Sequence, residues 1–170
     1  PVFDDAQMNR IVREGLKTLS ETQLSDGGWG WFSGFGERSS AHITAQVVHG
    51  LTIAQQNNVP VLPDVLQRGL EWLKNYQASE LTRLREGDKH RADPKYKGQP
   101  DYKTSADNLD AFVASVLSEH ATSDAAMNEY LYRDRGNLTV YGMALSGAVM
   151  HRMQDIPKRD MLLTNIEQFL

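Results

Sequence analysis

The chain has 170 residues, 24% of them charged, and a net charge of −4 from 18 Lys+Arg against 22 Asp+Glu. That length suffices for one domain burying about 70% of its unfolded surface, and the charge balance excludes a basic nucleic-acid binder and an acidic disordered tail. Cysteine is absent, which removes disulfides, thiolate catalysis and cysteine-zinc sites from these residues. No apolar run approaches a membrane span, and no secretory leader is read in them.

The spacing of Ile11, Leu16, Leu19 and Leu24 predicts a first helix over residues 4 to about 24. It runs into Asp26-Gly27-Gly28-Trp29-Gly30-Trp31-Phe32-Ser33-Gly34-Phe35-Gly36, where five glycines in eleven positions require a loop. Ser39 or Ser40 caps a second helix over 41–57, with Ile43, Val47, Leu51 and Ala54 on its apolar stripe. Pro60 and Pro63 punctuate the next break, and Pro63 opens a third helix over 63–85 that buries Leu66, Leu70, Leu73, Tyr76 and Leu84.

Residues 87–103 hold five Lys/Arg, turn formers at Gly87, Pro94, Gly98 and Pro100, and no aliphatic larger than Ala92. They read as an exposed, solvated loop, with a contact between domains as the functional alternative. A fourth helix is expected over 105–120 behind Thr104 and Ser105. A fifth, over 124–134, is expected to be capped by Ser123 and stopped by Gly136. Asn137 caps a sixth over 138–154, and Pro157 precedes a seventh. No segment alternates as a strand, so the fold class is all-α.

The helices read as pairs: 4–24 with 41–57, 63–85 with 105–120, and 124–134 with 138–154, the seventh opening a fourth. Small residues (Ala45, Gly50, Ala114, Gly142, Ala144, Gly147, Ala148) recur on the second members, where they would let backbones approach. Hairpins repeating every 45 to 50 residues or so suggest an open solenoid or a closed α/α toroid. The chain opens on Pro1 and stops at Leu170 inside an apolar-periodic run from Met161, so a piece of a longer chain is expected.

Two stretches carry a resemblance. Gln23-Leu24-Ser25-Asp26-Gly27-Gly28-Trp29-Gly30-Trp31-Phe32, followed by Ser39-Ser40-Ala41-His42-Ile43-Thr44-Ala45-Gln46-Val47-Val48, resembles the thioester-containing domain of bacterial α2-macroglobulin-like proteins, relatives of the complement thioester proteins. Val65–Leu73 and Leu138–Leu145 are similar in support. The resemblance implies an α/α toroid spanning 1–170 as a single, partial domain of a large periplasmic or cell-surface chain that traps proteases. It implies no cofactor and a non-enzymatic, architectural role, with the other domains of the same chain and the target proteases as partners. The family's Cys-x-Glu-Gln thioester motif is missing from these residues. In complement-type members a later-loop histidine assists acyl transfer, and His90 lies in a comparable place.

Other constellations are weaker. The aromatics of the Asp26–Phe32 loop could form a sugar or peptide platform, but Trp29 and Trp31 more simply plug the junction between helix pairs. Gly28-x-Gly30-x-x-Ser33-Gly34 imitates a dinucleotide fingerprint but follows a helix, which defeats that mechanism. His42 and His49 are seven residues apart, about 10 Å along a helix, too far to share one metal. An α/α-toroid enzyme acting on a polysaccharide or isoprenoid would draw on loop carboxylates such as Asp26, Glu37, Asp88 and Asp101. The Asp-x-Asp-Asp acid of terpene cyclases is missing. Asn137-Leu138-Thr139 matches a glycosylation sequon but serves equally as a helix cap.

Overall fold

A computed structural model describes residues 4–32, 36–93 and 95–169. Their secondary structure is entirely helical: α1 (Asp5–Glu21), α2 (Ala41–Gln56), α3 (Pro63–Ala92), α4 (Asn108–Ser118), α5 (Ala125–Arg133), α6 (Val140–Arg152) and α7 (Ile156–Glu167), with a short 3-10 turn at Arg135–Asn137. The chain folds as two compact units, residues 1–72 and 73–170.

In unit 1, Asp4 caps α1 in a reciprocal box with Gln7: the Gln7 amide donates to Asp4 Oδ1 at 2.7 Å. Ser40, rather than Ser39, caps α2. The α2 face that includes Thr44, Ala45, Val48 and Leu51 is buried, as are Val65, Leu66 and Leu70 from the start of α3.

In unit 2 the core gathers Leu81 and Leu84 of α3 with Ala111 and Ala114 of α4, Met127 and Leu131 of α5, Met150 of α6 and Leu162 of α7. Helix α6 packs chiefly against α4 and α7, so its closest partners are not α5, the expected hairpin mate.

Several local expectations are corrected. Helix α3 continues to Ala92, seven residues past the expected end, so the charged loop begins at 93 and not at 87. Its glycine explains the error, because Gly87 is no turn residue. A Cβ there would lie 2.1 Å from the Lys103 carbonyl oxygen, so the glycine lets the returning chain cross the helix. Helix α4 is capped by Asp107 in a box with Asp110, not by Thr104 or Ser105. Asp124 and Thr139, not Ser123 and Asn137, cap α5 and α6. Gly136 is an exposed member of the 3-10 turn, and α5 stops at Asp134.

The small-residue expectation holds unevenly. Gly142 is a close approach, where a Cβ would lie 2.2 Å from Asn108 Oδ1, whereas Gly50 faces open space and Ala144 is exposed. The tightest helical glycine of unit 1 is Gly69, where a Cβ would meet Val48 Cγ2 at 2.7 Å and Trp29 Cζ3 at 2.8 Å. A single glycine inside an apolar helix carries no sequence signal that distinguishes a contact from a tolerated cost.

Candidate functional site

The Asp26–Phe32 segment is a clasp that ties the end of α1, the start of α2 and the first half of α3 together. Its centre is Trp29, 2% exposed. The indole Nε1 donates to the Leu19 carbonyl at 2.8 Å, and the ring lies over Gly69. The Trp29 amide donates to Thr44 Oγ1 at 2.9 Å, and the Trp29 carbonyl accepts from the Ser40 amide at 2.8 Å. A buried tryptophan thereby has every polar group of ring and backbone paired.

Gln23 and Asp26 complete the clasp. Gln23 Nε2 donates to the carbonyls of Gly27 (2.8 Å) and Val65 (2.9 Å), while its Oε1 accepts from Arg68. Asp26 accepts from the Gly28 amide at 3.1 Å, Ser39 Oγ at 2.7 Å and Trp72 Nε1 at 2.9 Å. Partial burial works against its charge, but the donors Ser39, Trp72 and Gly28 outweigh it and hold the carboxyl below its ordinary range.

The glycines are demanded by space. Gly27 has φ +93°, and a Cβ there would lie 2.8 Å from the Arg68 carbonyl oxygen. At Gly28 a Cβ would collide with Ser39 Oγ at 2.4 Å, and at Gly30 with Glu37 Oε1 at 2.3 Å. The motif residues Gln23, Asp26, Gly27, Gly28, Trp29, Gly30 and Thr44 are thus one mechanical device.

Trp31 and Phe32 are different. They are 73% and 78% exposed, so Trp31 does not plug the helix junction as expected. With Leu19, Ile43 and Val47 they border a shallow apolar cleft. Ser33, Gly34 and Phe35 lie outside the described residues.

His90 falls in the last turn of α3. Its ring stacks on Tyr102 (centroids 4.2 Å apart, 17° between planes) and meets Tyr96 edge-on at 5.0 Å, and Nε2 is 3.2 Å from the Gln99 carbonyl oxygen.

The four candidate carboxylates are engaged separately, and Asp88 lies within α3, not in a loop. Asp26 and Glu37 belong to unit 1, the latter against Gly30. Asp88 accepts from Tyr130 Oη and Arg133, both at 2.7 Å, and Asp101 pairs with Arg83 at 2.9 Å. His42 and His49 both lie on α2, and among the described residues no group of three or more His, Asp or Glu is placed to hold a metal.

A second polar centre escaped the sequence reading. Lys103 Nζ sits among Glu80 Oε2 (2.9 Å), Asp107 Oδ2 (2.8 Å) and Asp110 Oδ2 (2.6 Å). Burial opposes its charge, yet these carboxylates raise its pKa above the ordinary lysine value. Asp110, wholly buried on α4, is shifted upward by that burial. The sequence shows only a lysine in a charged run, and the three acids come from α3, from α4 and from the residue that caps α4.

No family profile matches the chain. Over 72 residues, 42% of its length, it is 39% identical to an alpha-2-macroglobulin of Thermotoga maritima. Its fold is similar to the crystal structure of native alpha-2-macroglobulin from Escherichia coli spanning domain MG7 to the C-terminus, with a TM-score of 0.70 and 18% identity over 96% of this chain. The chain spans 5% of the length of the Thermotoga protein and 24% of the Escherichia chain. A comparison of sequence and a comparison of fold thus fall on the same family, and alpha-2-macroglobulins are the proteins to which this chain is similar.

Proposed function

We propose that the chain is a non-enzymatic, architectural portion of the thioester-type domain of a bacterial α2-macroglobulin-like protease trap, working in the periplasm or at the cell surface. The observation that carries this reading is the fold likeness over 96% of the chain, joined to 39% identity over 72 residues. In this reading residues 1–170 belong to one α/α-toroid domain. The clasp holds its helical hairpins in register, and its partners are the other domains of the parent chain and, through them, the captured protease.

The clasp supports a mechanical role, because its motif residues spend their polar groups on one another and on backbone. The α/α-toroid enzyme is the weaker reading: three of its candidate carboxylates, Asp26, Asp88 and Asp101, are each committed to donors of their own.

The test is capture by the full-length parent protein. After incubation with an active protease, the protease is expected to stay bound, to cleave a small peptide substrate and to spare a large protein substrate. A protease that is released, or that digests both substrates at the same rate, overturns the reading. A covalent protease adduct that hydroxylamine cleaves assigns a thioester to the parent. His90→Ala then tests the acyl-transfer role that the resemblance implies: a hydroxyl-acceptor yield unchanged by that substitution removes His90 from it.

A further inference from the structure

We propose that residues 95–105 form a strap that opens as a unit while the helices of unit 2 stay folded, and that the Lys103 ammonium is the contact that keeps it shut. From Lys95 the chain runs back along the last turns of α3 with no aliphatic side chain to anchor it before Ala106, which is buried in the core of unit 2. Its attachments are instead polar. The Gln99 amide donates to Glu86 Oε1 at 2.8 Å and the Lys103 amide to the Arg83 carbonyl at 3.0 Å. Asp101 pairs with Arg83, and Arg91 donates to the Thr104 carbonyl. The aromatic contacts of Tyr96 and Tyr102 with His90 are at the partly exposed end of α3.

A segment held this way has little hydrophobic stabilisation of its own, since burial of apolar surface supplies most of the free energy that holds elements down. Such segments open at a free energy below that of global unfolding. One contact differs from the rest. Lys103 is 13% exposed at its side chain and neutralises Glu80 and Asp110, which are 7% and 0% exposed. Lifting the strap leaves the buried Asp110 without its cation and Glu80 with Arg83 alone, at 2.8 Å, so this contact costs most to break. Gly87 completes the seat, because any side chain there would displace the strap's backbone at Lys103.

Native-state hydrogen exchange on the full 170-residue chain tests this. The amides of Gln99 and Lys103 are expected to exchange together, at least about tenfold faster than the core amides of Ala114 and Val116 in α4. Lys103→Met is expected to speed those two by a further tenfold or so without moving the α4 amides, and Lys103→Arg to retain most of the protection. Strap amides that exchange only at the α4 rate in the unsubstituted chain overturn the proposal. So does a Lys103→Met chain in which they are unchanged. If that variant does not fold, Asp101→Asn, which removes an exposed partner of Arg83, is expected to speed the strap amides about two- to fivefold and the core amides not at all. Equal acceleration of both sets contradicts the strap as a separate unit.

Discussion

Between α1 and α2 the chain is held by a buried tryptophan, by hydrogen bonds to backbone carbonyls and by glycines that no other residue can replace. Between α3 and α4 it is held by one lysine among three carboxylates and by ion pairs at the surface. Both segments tie a connection to a helix. The first does so chiefly by shape and the neutral pairing of a buried tryptophan, with Asp26 at its exposed edge, the second by charge. Shape-based closure tolerates almost no substitution and here answers to pH only through Asp26. Charge-based closure accepts a varied sequence and answers to whatever titrates or screens its carboxylates.

The largest contrast is expected from Gly27→Val. A β-branched residue at φ +93° is strained, and its Cβ meets the Arg68 carbonyl, so about 3 to 5 kcal/mol of unit 1 stability should be lost. The molecule provides its own reporters. All three tryptophans, Trp29, Trp31 and Trp72, lie in unit 1, and all six tyrosines lie in unit 2. Urea denaturation followed by tryptophan emission therefore reads unit 1, and a midpoint unchanged by Gly27→Val would break the clasp account.

Thr44→Val is milder. It keeps the volume and removes the acceptor of the buried Trp29 amide, so about 1 to 3 kcal/mol is expected in the same assay. A neutral result would mean that the amide finds another partner.

Acid should separate the two regions more gently. Asp26 in the clasp, and Asp88 and Asp107 around the strap, are partly buried but held below the ordinary carboxylate range by their donors; for Glu86 it is chiefly the hydrogen bond from Lys89 that does so. Such groups bind fewer protons folded than unfolded, so the stability they supply is present above the ordinary carboxylate pKa of about 4 and is lost as pH falls through and below it. Asp110 is shifted upward by burial and works in the opposite direction. Three lowered groups against one raised leave unit 2 the more acid-sensitive, with one lowered group in unit 1. Tyrosine-monitored midpoints should drop more than tryptophan-monitored ones between pH 5 and 3 or so. The reverse order would show that Asp110 dominates its neighbours.

Helix positions were legible because apolar spacing and proline starts are local. The Asp-Gly-Gly-Trp loop was legible because glycine density is local too. Their consequences were less so. Trp29 and Trp31 are two residues apart in similar company, yet one is buried and the other exposed. What separates them is Gly69, 40 positions later, which opens the seat for one ring only. The Lys103 cage was invisible for the same reason, since Glu80 and Asp110 lie on different helices. Gly87 misled because a glycine that admits a crossing chain and a glycine that turns a chain look alike in sequence. Caps shifted by one or two residues wherever several Ser, Thr, Asn or Asp stood together, as at Ser123-Asp124 and Asn137-Leu138-Thr139, because each can accept from a helix amide.

That the motif is structural rather than a binding platform is tested most directly by unfolding Trp29→Ala and Trp31→Ala side by side, with Trp72 as the fluorescent reporter. Trp29→Ala should cost about 3 to 5 kcal/mol, and Trp31→Ala should fall within about 0.5 kcal/mol of the unsubstituted chain. Equal losses, or a larger loss for Trp31→Ala, would contradict the account.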